Sequence, residues 1–540
     1  MLLTATASVG TFTACSNDDP APNVLPNKPE GTTMMSIQFA LQMPKSNRAA
    51  DDKQNISNPE FNYAGKWIGN DLIKAVDVYI FKADPAAAGG YSLETSDNLD
   101  ATKIDFQQPM VGNNDVAYIR PKKGFKVDPG QKKVFVVVNP TTETQALLTG
   151  ATDLTAFEAK YNGVMTLQNG GAAAPTVYTD ATAAAVTAGD PFTVADHLAK
   201  VEGTGANQKD VIVMTGLAGE INVQDNVNEA QTLNTSAPVN RAKVTVQRAV
   251  ARVLVTSDAT SYDVKGDDPT TPAVESEADG NAVVLATIDN LTYVVAQGES
   301  SLYFNQQDSD NPTNYQYKTP NSTYIPTGTA DDPAANYGAA QYAMYDYTGL
   351  WRKHDNKLGG YDVPTNAAYD ASLNNVVGQV QNQDGLHGEF FLPNTHAYHD
   401  TDRGQSGYRK GNTAYVLVRG KINPKFVYTG ANQVDNNWTA THADDDLFLG
   451  DDGKFYASAA LANDPTTNGN AAAAAMKVKK FVKGKVLYFV WVNPDHTSGK
   501  EWINSPAIRN NIYHIQISGI ANYVYNWNPL IPNPNDPVDP

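Results

Sequence analysis

The segment from Thr33 to Met43 shows a clear alternation of hydrophobic and polar positions. Its apolar positions fall at every second residue, and they are Met35, Ile37, Phe39, Leu41 and Met43. Because successive side chains of a β-strand point to opposite faces, this period of two predicts a strand with one buried face. Residues 44–53 are polar and begin with a proline, which predicts an exposed loop directly after the strand.

Short apolar runs recur along the rest of the chain and predict further strands. Lys133–Val138 is almost continuously apolar, which is typical of a strand buried on both faces. We expect one long strand over Lys243–Val255 and a pair of strands over Val283–Ala296. The other predicted strands are Ala75–Phe81, Val211–Met214, Phe390–Leu392, Ala414–Val418, Val486–Val492 and Asn511–Ile517. Without any βαβ alternation, this series predicts a mainly β fold built from β-sandwich domains.

Helical periodicity is scarce, and we expect only one or two short helices. Residues 152–161 place Leu154, Phe157 and Tyr161 on one side of a helix, with Thr152 as the expected N-cap. Residues 305–385 are rich in Asn, Asp, Tyr, Pro and Gly, so they predict long surface loops.

The polar, Asn-rich stretch 222–240 predicts the approach to a second domain. We therefore expect an N-terminal β-sandwich over 49–238 and a C-terminal β-sandwich over 239–523. Residues 524–540 are rich in Pro, Asn and Asp and predict an extended linker.

Charge and cysteine content narrow the possible partners and sources of stability. The chain of 540 residues has 40 Lys and Arg against 58 Asp and Glu, a net charge of −18. This balance argues against nucleic acid as a partner, because proteins that bind phosphate backbones carry basic surfaces. The one cysteine, Cys15, excludes intrachain disulfides, so packing and sheet hydrogen bonds must stabilise the fold.

The first 15 residues are apolar and small, as in the core and cleavage region of a secretory signal, although no basic residue precedes them. Phe12-Thr13-Ala14-Cys15 resembles a lipobox, with Phe where Leu is usual. We therefore expect Cys15 to be lipidated and to anchor the chain in a membrane through acyl chains. The alternative is a plain signal peptide that contains Cys15 by chance. If Cys15 is lipidated, residues 16–48 would form a tether and the first strand, and together they would be a removable propeptide.

No sequence motif of a nucleotide site, a zinc protease or an α/β-hydrolase nucleophile is present. Ser406 lies in a short polar Gly-Gln-Ser-Gly stretch that does not match a nucleophile elbow. Acidic residues are so frequent that no pair indicates glycosidase chemistry. The sequence therefore predicts a protein that is not an enzyme and that needs no cofactor.

Two polar clusters have a possible metal-binding interpretation. His396, His399 and Asp400 have the spacing of one edge of a metal site, but the segment follows a proline and offers too few ligands. Asp444–Asp446 and Asp451-Asp452-Gly453 have the composition of a calcium loop without its ligand spacing. We interpret the first as a solvated loop and the second as a hairpin turn at Gly453, and expect no metal.

Two further groups of residues have a structural and a functional interpretation. Arg248 and Arg252 interrupt a Val-Ala run, and we expect them to pair with carboxylates at a sheet edge or between the domains rather than to guide an anionic ligand. The aromatic side chains of Trp351, Tyr361 and Tyr398 have the chemistry to stack on sugars. Loop packing is the interpretation that we favour.

Several strings spread along the chain resemble the fimbrillins of type V pili, and within them the Mfa-type fimbrillins that are the main subunits of the minor (short) fimbrium. The two more specific strings are the ones that begin at Tyr408 and at Ser505. The matching strings are the lipobox at Cys15, Met43–Ala49 (MPKSNRA), Val244–Arg252 (VTVQRAVAR), Tyr408–Val418 (YRKGNTAYVLV), Asp446–Gly450 (DLFLG) and Ser505–Tyr513 (SPAIRNNIY).

This resemblance implies β-sandwich domains of transthyretin-like, Greek-key topology and a mechanism of assembly. The precursor would be a lipoprotein of the cell outer membrane, and an arginine-specific protease of the gingipain type would cut between Arg48 and Ala49. The cut would release the strand of Met35, Ile37, Phe39, Leu41 and Met43, and a donor strand from the next subunit would fill the groove. In the family that donor follows a Pro-rich linker, so we expect this chain, ending at Pro540, to stop short of it.

The resemblance also implies partners. These are further copies of the chain in a surface fimbrium, the arginine-specific protease, accessory tip and anchor subunits, and a host or bacterial surface receptor for adhesion and colonisation. Two alternatives stay open from the residues alone. Thr33–Met43 would be an ordinary first strand, or the chain would be a non-polymerising surface lipoprotein that binds glycans through aromatic loops.

Overall fold

The computed structural model describes fourteen parts of the chain. They are residues 33–41, 71–107, 118–167, 194–203, 209–266, 282–308, 317–326, 339–347, 361–363, 388–397, 406–468, 476–494, 503–523 and 538. The mainly β fold predicted from the sequence is confirmed, because strands account for most of the regular structure in these parts.

The largest sheet has ten strands, and eight of them follow the order β3-β2-β7-β11-β13-β1-β5-β4. β12 adds to β7 and β6 adds to β1. The strands are β1 (Thr33–Leu41), β2 (Ala75–Ala83), β3 (Tyr91–Asp100), β4 (Ile104–Gln107), β5 (Tyr118–Pro121), β6 (Phe125–Val127), β7 (Gly130–Val138), β11 (Met214–Leu217), β12 (Ile221–Val223) and β13 (Arg241–Arg248).

β7 confirms the prediction of a strand buried on both faces. It pairs with β2 along one edge and with β11 and β12 along the other, and Val134, Val136, Val137 and Val138 are buried. A run of β-branched residues suits this position, because neither face of the strand meets water.

The single strand predicted over Lys243–Val255 is wrong, since the structure contains two strands. β13 ends at Arg248 and β14 (Ala251–Ser257) begins after Ala249 and Val250. β13 belongs to the ten-stranded sheet, whereas β14 pairs with β23 (Glu389–Phe391) and, in parallel, with β31 (Ile512–Ile517). The carbonyl of Val250 accepts a hydrogen bond from Asn510 N. The apolar run continues through the break because both of its residues are buried.

A second large sheet has the order β15-β16-β24-β30, with β22 beside β16. The pair of strands predicted over Val283–Ala296 is one strand whose register shifts between Asp289 and Thr292. The strands of this second sheet are β15 (Ser261–Gly266), β16 (Val283–Ala296), β22 (Tyr361–Asp362), β24 (Tyr415–Pro424) and β30 (Lys485–Trp491). A third sheet, β26-β25-β28-β27-β29, consists of β25 (Val427–Gly430), β26 (Gln433–Asp435), β27 (Leu447–Gly450), β28 (Phe455–Tyr456) and β29 (Val478–Phe481).

Short strand pairs complete the β structure of the described residues. The strand predicted at Val211–Met214 is split, because Val213 separates β10 from β11. The remaining strands are β8 (Val164–Thr166), β9 (Ala199–Glu202), β10 (Lys209–Ile212), β17 (Gly298–Glu299), β18 (Ser301–Tyr303), β19 (Gln307–Asp308), β20 (Tyr317–Lys318) and β21 (Tyr345–Asp346).

The described residues contain seven short α-helices where the sequence predicted one or two. The predicted helix is α2, and its N-cap is Asp153 rather than Thr152, because the Asp153 carboxylate accepts from Ala156 N. The helices are α1 (Thr142–Leu148), α2 (Leu154–Tyr161), α3 (Glu229–Leu233), α4 (Ala339–Tyr342), α5 (Trp438–Thr441), α6 (Ala459–Ala462) and α7 (Pro465–Asn468). Most span a single turn, too short for a periodic signal in the sequence. Four 3₁₀ turns lie at Ala88–Gly90, Ala101–Lys103, Val194–His197 and Val482–Gly484.

Two hydrophobic clusters account for most of the buried apolar side chains. The first is centred on the ten-stranded sheet and α2, where Phe81, Phe135, Phe157 and Tyr161 pack against one another. The Tyr161 hydroxyl donates to Val136 O and lies 2.8 Å from Gly216 N. The second cluster lies between β14, β16, β24 and the third sheet.

Candidate site around the first strand

β1 is an interior strand of the ten-stranded sheet. It runs parallel to β13 over six register pairs, from Ser36 opposite Arg241 to Leu41 opposite Val246. Its other edge is antiparallel to β6 at its start and to β5 at its end. Both edges of β1 are therefore hydrogen-bonded, although the strand is the first described part of the chain and no described residue joins it to Asp71.

The apolar face of β1 faces the core, as its alternation predicts. Met35, Ile37, Phe39 and Leu41 are no more than 2% exposed. At about 1.5–3 kcal/mol for each buried side chain, their burial contributes roughly 6–12 kcal/mol to stability. This figure is an upper bound, because the unfolded chain already buries part of its apolar surface. This is comparable with the whole stability of a typical domain.

The polar face of β1 is held by side chains from the strands on either side. Ser36 Oγ donates to Thr232 O at 2.7 Å and accepts from Arg241 Nε at 3.0 Å. On the opposite edge, Arg120 Nε donates to Gln38 Oε1 at 3.0 Å. Two arginine side chains thus reach over β1 from β13 and from β5.

Burial lowers the pKa of Arg241, and the neighbouring positive charge of Arg120 lowers it further. The two guanidinium groups are therefore close enough to repel each other. The repulsion acts across the polar face of β1, because both guanidinium groups bind side chains on that face.

The start of β1 is fixed by Asn240, the residue before β13. Its Nδ2 donates to Met34 O at 3.1 Å and to Gln224 O at 2.8 Å, while its Oδ1 accepts from Gln224 N. Thr33 Oγ1 donates to Gln224 O and accepts from Val227 N. Asn240 has a φ of 51°, a conformation that asparagine tolerates better than most residues.

Four of the predicted site residues lie outside the described residues. These are the lipidation site Cys15, the cleavage pair Arg48 and Ala49, and the last apolar residue of the strand, Met43. Lipidation and cleavage therefore stay predictions.

The interpretation that Arg248 and Arg252 pair with carboxylates is confirmed. Arg248 binds both carboxylate oxygens of Asp71, at 3.1 and 2.6 Å, and Arg252 Nη1 lies 2.8 Å from Asp210 Oδ2. All four residues are buried. Buried charges need such partners, because an unpaired ion inside a protein is strongly destabilising.

The candidate metal and nucleophile positions have structural roles where they are described. The solvated loop expected at His396 is wrong, because this side chain is fully buried. Its ring nitrogens lie 2.8 Å from Asn412 O and 3.2 Å from Ser322 O, and burial lowers the pKa of His396 to about 4. His399 and Asp400 lie outside the described residues. Ser406 Oγ donates to Asn504 Oδ1 at 2.9 Å. In the described parts of the chain, no group of three or more His, Cys, Asp or Glu side chains is arranged to hold a metal.

The acidic cluster also has structural contacts. Asp446 forms an ion pair with Lys480 at 2.7 Å, and Asp452 Oδ2 accepts from the Tyr456 hydroxyl. Gly453, with a φ of 78°, lies in the turn between β27 and β28, as predicted. Trp351 and Tyr398 lie outside the described residues, and Tyr361 is described only as part of β22.

Sequence reasoning missed the polar residues that hold β1 in place. Thr232 and Asn240 stand in a polar stretch without a periodic pattern, and Arg120 and Arg241 lie on strands whose sequences do not show that they are neighbours of β1. The available signal was the alternation of β1 itself, since Ser36 and Gln38 on its outer face need polar neighbours.

The fold and this site define a mainly β protein whose first strand is an interior strand of its largest sheet. The chain is similar to two curated Porphyromonas gingivalis sequences, each named Minor fimbrium subunit Mfa1. With each it shares 29% identity over 547 aligned residues, which cover 99% of this chain and 88% of the relative. The resemblance found in the sequence strings is confirmed, and these relatives bear the name of a structural subunit rather than that of an enzyme.

Among solved structures, the chain matches the C-terminally truncated tip fimbrial protein Mfa3 of Porphyromonas gingivalis. The match has 8% identity and a TM-score of 0.26 over 85% of this chain and 99% of Mfa3, which is too low to establish a common topology. No family model matches the chain. Among the helices of the described residues, none is long and apolar enough to cross a membrane.

Proposed function

We propose that the protein is a structural subunit of a surface fimbria, which polymerises by donor-strand exchange after proteolysis and serves adhesion and colonisation. The observation that carries the proposal is the position of β1, which is an interior strand with both edges paired and four buried apolar side chains. The similarity to fimbrial subunits along almost the whole chain supports the same function.

Departure of β1 would leave open sheet edges and an exposed apolar groove in the ten-stranded sheet. The strands β13, β5 and β6 would each lose β1 as a partner, which leaves one edge of β13 and of β5 open, and the core would lose four apolar side chains. Open sheet edges beside an exposed apolar groove invite pairing with another chain. A strand from a second subunit restores both the hydrogen bonds and the buried side chains, as in other cases of β-strand addition.

The proposed sequence of events begins with a precursor lipidated at Cys15 and held at the cell outer membrane. An arginine-specific protease hydrolyses the peptide bond between Arg48 and Ala49, which frees the segment that carries β1. The next subunit then supplies the replacement strand, so that the principal partner is a further copy of the chain. Accessory tip and anchor subunits would end the fibre, and a surface receptor would bind it.

The test is limited digestion, with an arginine-specific protease, of a form that carries the full natural C-terminus, followed by intact mass measurement and negative-stain microscopy. A fluorescent peptide with the sequence of residues 33–43 is added in a parallel sample to report an open groove. The Arg48→Gln variant is the matched control, because it removes only the proposed cleavage site.

We expect a cut after Arg48, loss of the N-terminal fragment, and then fibres or uptake of the labelled peptide. The Arg48→Gln variant should keep β1 and take up no peptide. Resistance of Arg48 to the protease would overturn the proposal. So would a cut that yields only amorphous aggregate without peptide uptake.

A further inference from the structure

We propose that the groove around β1 selects an incoming strand that carries a carboxylate where β1 carries Gln38, between the two arginine side chains that reach over the strand. The proposed occupant is an extended segment of a second copy of this chain, with apolar residues at every second position. This inference rests on the proposed function and names the chemistry of the strand that replaces β1.

The first step is that the acceptors that Arg120 and Arg241 bind among the described residues are neutral. Arg120 Nε donates to Gln38 Oε1, and Arg241 donates to Ser36 Oγ at 3.0 Å and to Thr232 O at 2.7 Å. Within the part of the chain that the structure describes, neither guanidinium forms an ion pair with a carboxylate. Arg120 also lies 5.8 Å from the centre of the Tyr118 ring.

The neighbouring carboxylates are committed elsewhere. Asp105 is opposite Arg120 in the β4–β5 register, but it lies 3.8 Å from Lys122 and is 65% exposed. Glu229 Oε1 accepts from Gly124 N at 2.9 Å. Among the residues that the structure describes, no carboxylate therefore binds either arginine.

Two lysines extend the positive charge along the same strands. Lys126 on β6 is opposite Met34, and Lys243 on β13 is opposite Gln38. Both are exposed. In a chain with a net charge of −18, this concentration of basic residues around one strand is a local exception. It makes the charge of an incoming strand matter for its binding.

The second step is that a carboxylate at this position gains more than the amide of Gln38. The bond from Arg120 Nε to Gln38 Oε1 already has a charged donor, and a carboxylate in place of the amide adds the attraction between opposite charges to it. Glutamate has the shape of glutamine, so a strand with Glu at this position keeps the contact to Arg120 Nε and adds a charge. The same charge relieves the repulsion between Arg120 and Arg241, which comes after burial as a cause of the lowered pKa of Arg241.

A preference of this kind would give strand exchange a direction. The resident strand β1 fills the groove without bringing a negative charge to the two arginines, whereas a strand with the carboxylate fills it and offsets one of their two charges. The replacement would then be more stable than β1 even with an identical apolar face.

The test uses the full chain cut after Arg48 and two labelled peptides. One has the sequence of residues 33–43, and the other differs only by the change Gln38→Glu. We expect the Glu peptide to bind about fivefold more tightly at low salt, the factor that a surface charge-assisted hydrogen bond of about 1 kcal/mol gives. The advantage should shrink in 0.5 M salt and should be lost in the Arg120→Gln, Arg241→Gln double variant.

The outcomes separate the two proposals. If both peptides bind equally, or the Glu peptide binds more weakly, the charge preference is overturned and strand exchange stands. If neither peptide enters the cut chain, the proposed function fails and this inference fails with it.

A measurement on the uncut chain checks the charge preference without any exchange. The substitution Gln38→Glu should raise the midpoint of thermal unfolding at low salt, and should not raise it in the Arg120→Gln, Arg241→Gln background. An equal effect in both backgrounds would show that the arginines do not sense the charge, which overturns the inference.

Discussion

Arg248 donates to both carboxylate oxygens of Asp71, from Nε at 3.1 Å and from Nη2 at 2.6 Å, and neither side chain is more than 3% exposed. Arg248 Nη1 donates further to Asn510 Oδ1, so Arg248 links Asp71, the first residue of one described segment, to the segment 503–523. Residues 42–70, which connect β1 to the rest of the chain, end directly before Asp71. The ion pair therefore fixes the chain at the point where that connection meets the folded body.

We expect Asp71→Asn to destabilise the protein by about 3–5 kcal/mol, because it removes the buried carboxylate that accepts two hydrogen bonds from the Arg248 guanidinium. Denaturant unfolding monitored by tryptophan fluorescence measures the effect. Asp105→Asn is the matched control, because that carboxylate is 65% exposed and its loss should change little. Equal effects of the two substitutions would contradict this account of the pair.

The apolar face of β1 leads to a second prediction. Phe39 is fully buried, and Phe39→Ala should cost about 3–5 kcal/mol through lost burial and the cavity left behind. Gln38→Ala, one residue away on the polar face, should cost under about 1 kcal/mol. Hydrogen exchange of the β1 amides, read alongside global unfolding, should show faster opening of β1 in the Phe39 variant only. Unchanged exchange there would mean that this side chain does not hold the strand.

Asn240 supports a third prediction because its backbone and side chain act separately. Asn240→Ala loses the hydrogen bonds to Met34 and Gln224 and must also hold a φ of 51°. Asn240→Gly loses the same hydrogen bonds but adopts this φ without strain. We therefore expect the Gly variant to be more stable than the Ala variant by about 1 kcal/mol, with both less stable than the natural chain. Thermal unfolding of the three proteins decides, and a more stable Ala variant would refute the backbone argument.

The sequence predicts an element where one physical pattern dominates it. The alternation of β1 and the continuous apolar run of β7 both report burial, and the structure places both strands as expected. The break at Ala249 and Val250 was missed because both residues are buried, so the apolar run passes through it unchanged. Only the change of sheet between β13 and β14 reveals it.

The candidate site was predictable only in part for a related reason. The sequence indicated that Arg248 needed a carboxylate, but 58 Asp and Glu residues offered no basis for choosing Asp71, which is 177 positions away. Likewise, Arg120 and Arg241 meet at β1 only through the register of three strands. Pairings of this range depend on the tertiary fold and leave no local signal.

Glu299 leads to a prediction about pH. It is fully buried in β17, its Oε2 accepts two hydrogen bonds of 3.0 Å from Asn321, and its Oε1 has no hydrogen-bond partner among the described residues. Burial raises the pKa of Glu299 to about 8. The folded state therefore holds a proton that the unfolded state releases near pH 4.5. The contribution of Glu299 to stability is complete below that pH and is lost as the pH rises towards 8.

Glu299→Gln should remove this loss, because glutamine stays neutral and still presents a carbonyl oxygen to Asn321. The variant should match the natural chain near pH 4.5 and exceed it by about 3 kcal/mol at pH 7, the cost of a carboxyl held neutral well above its ordinary pKa. Unfolding at a series of pH values measures the difference, with the half-exposed Glu220→Gln as control. The control should run parallel to the natural chain at every pH. The prediction fails if the free energies of unfolding of the Glu299 variant and the natural chain differ by the same amount at every pH. That result would mean that the pKa of Glu299 is not raised in the folded protein.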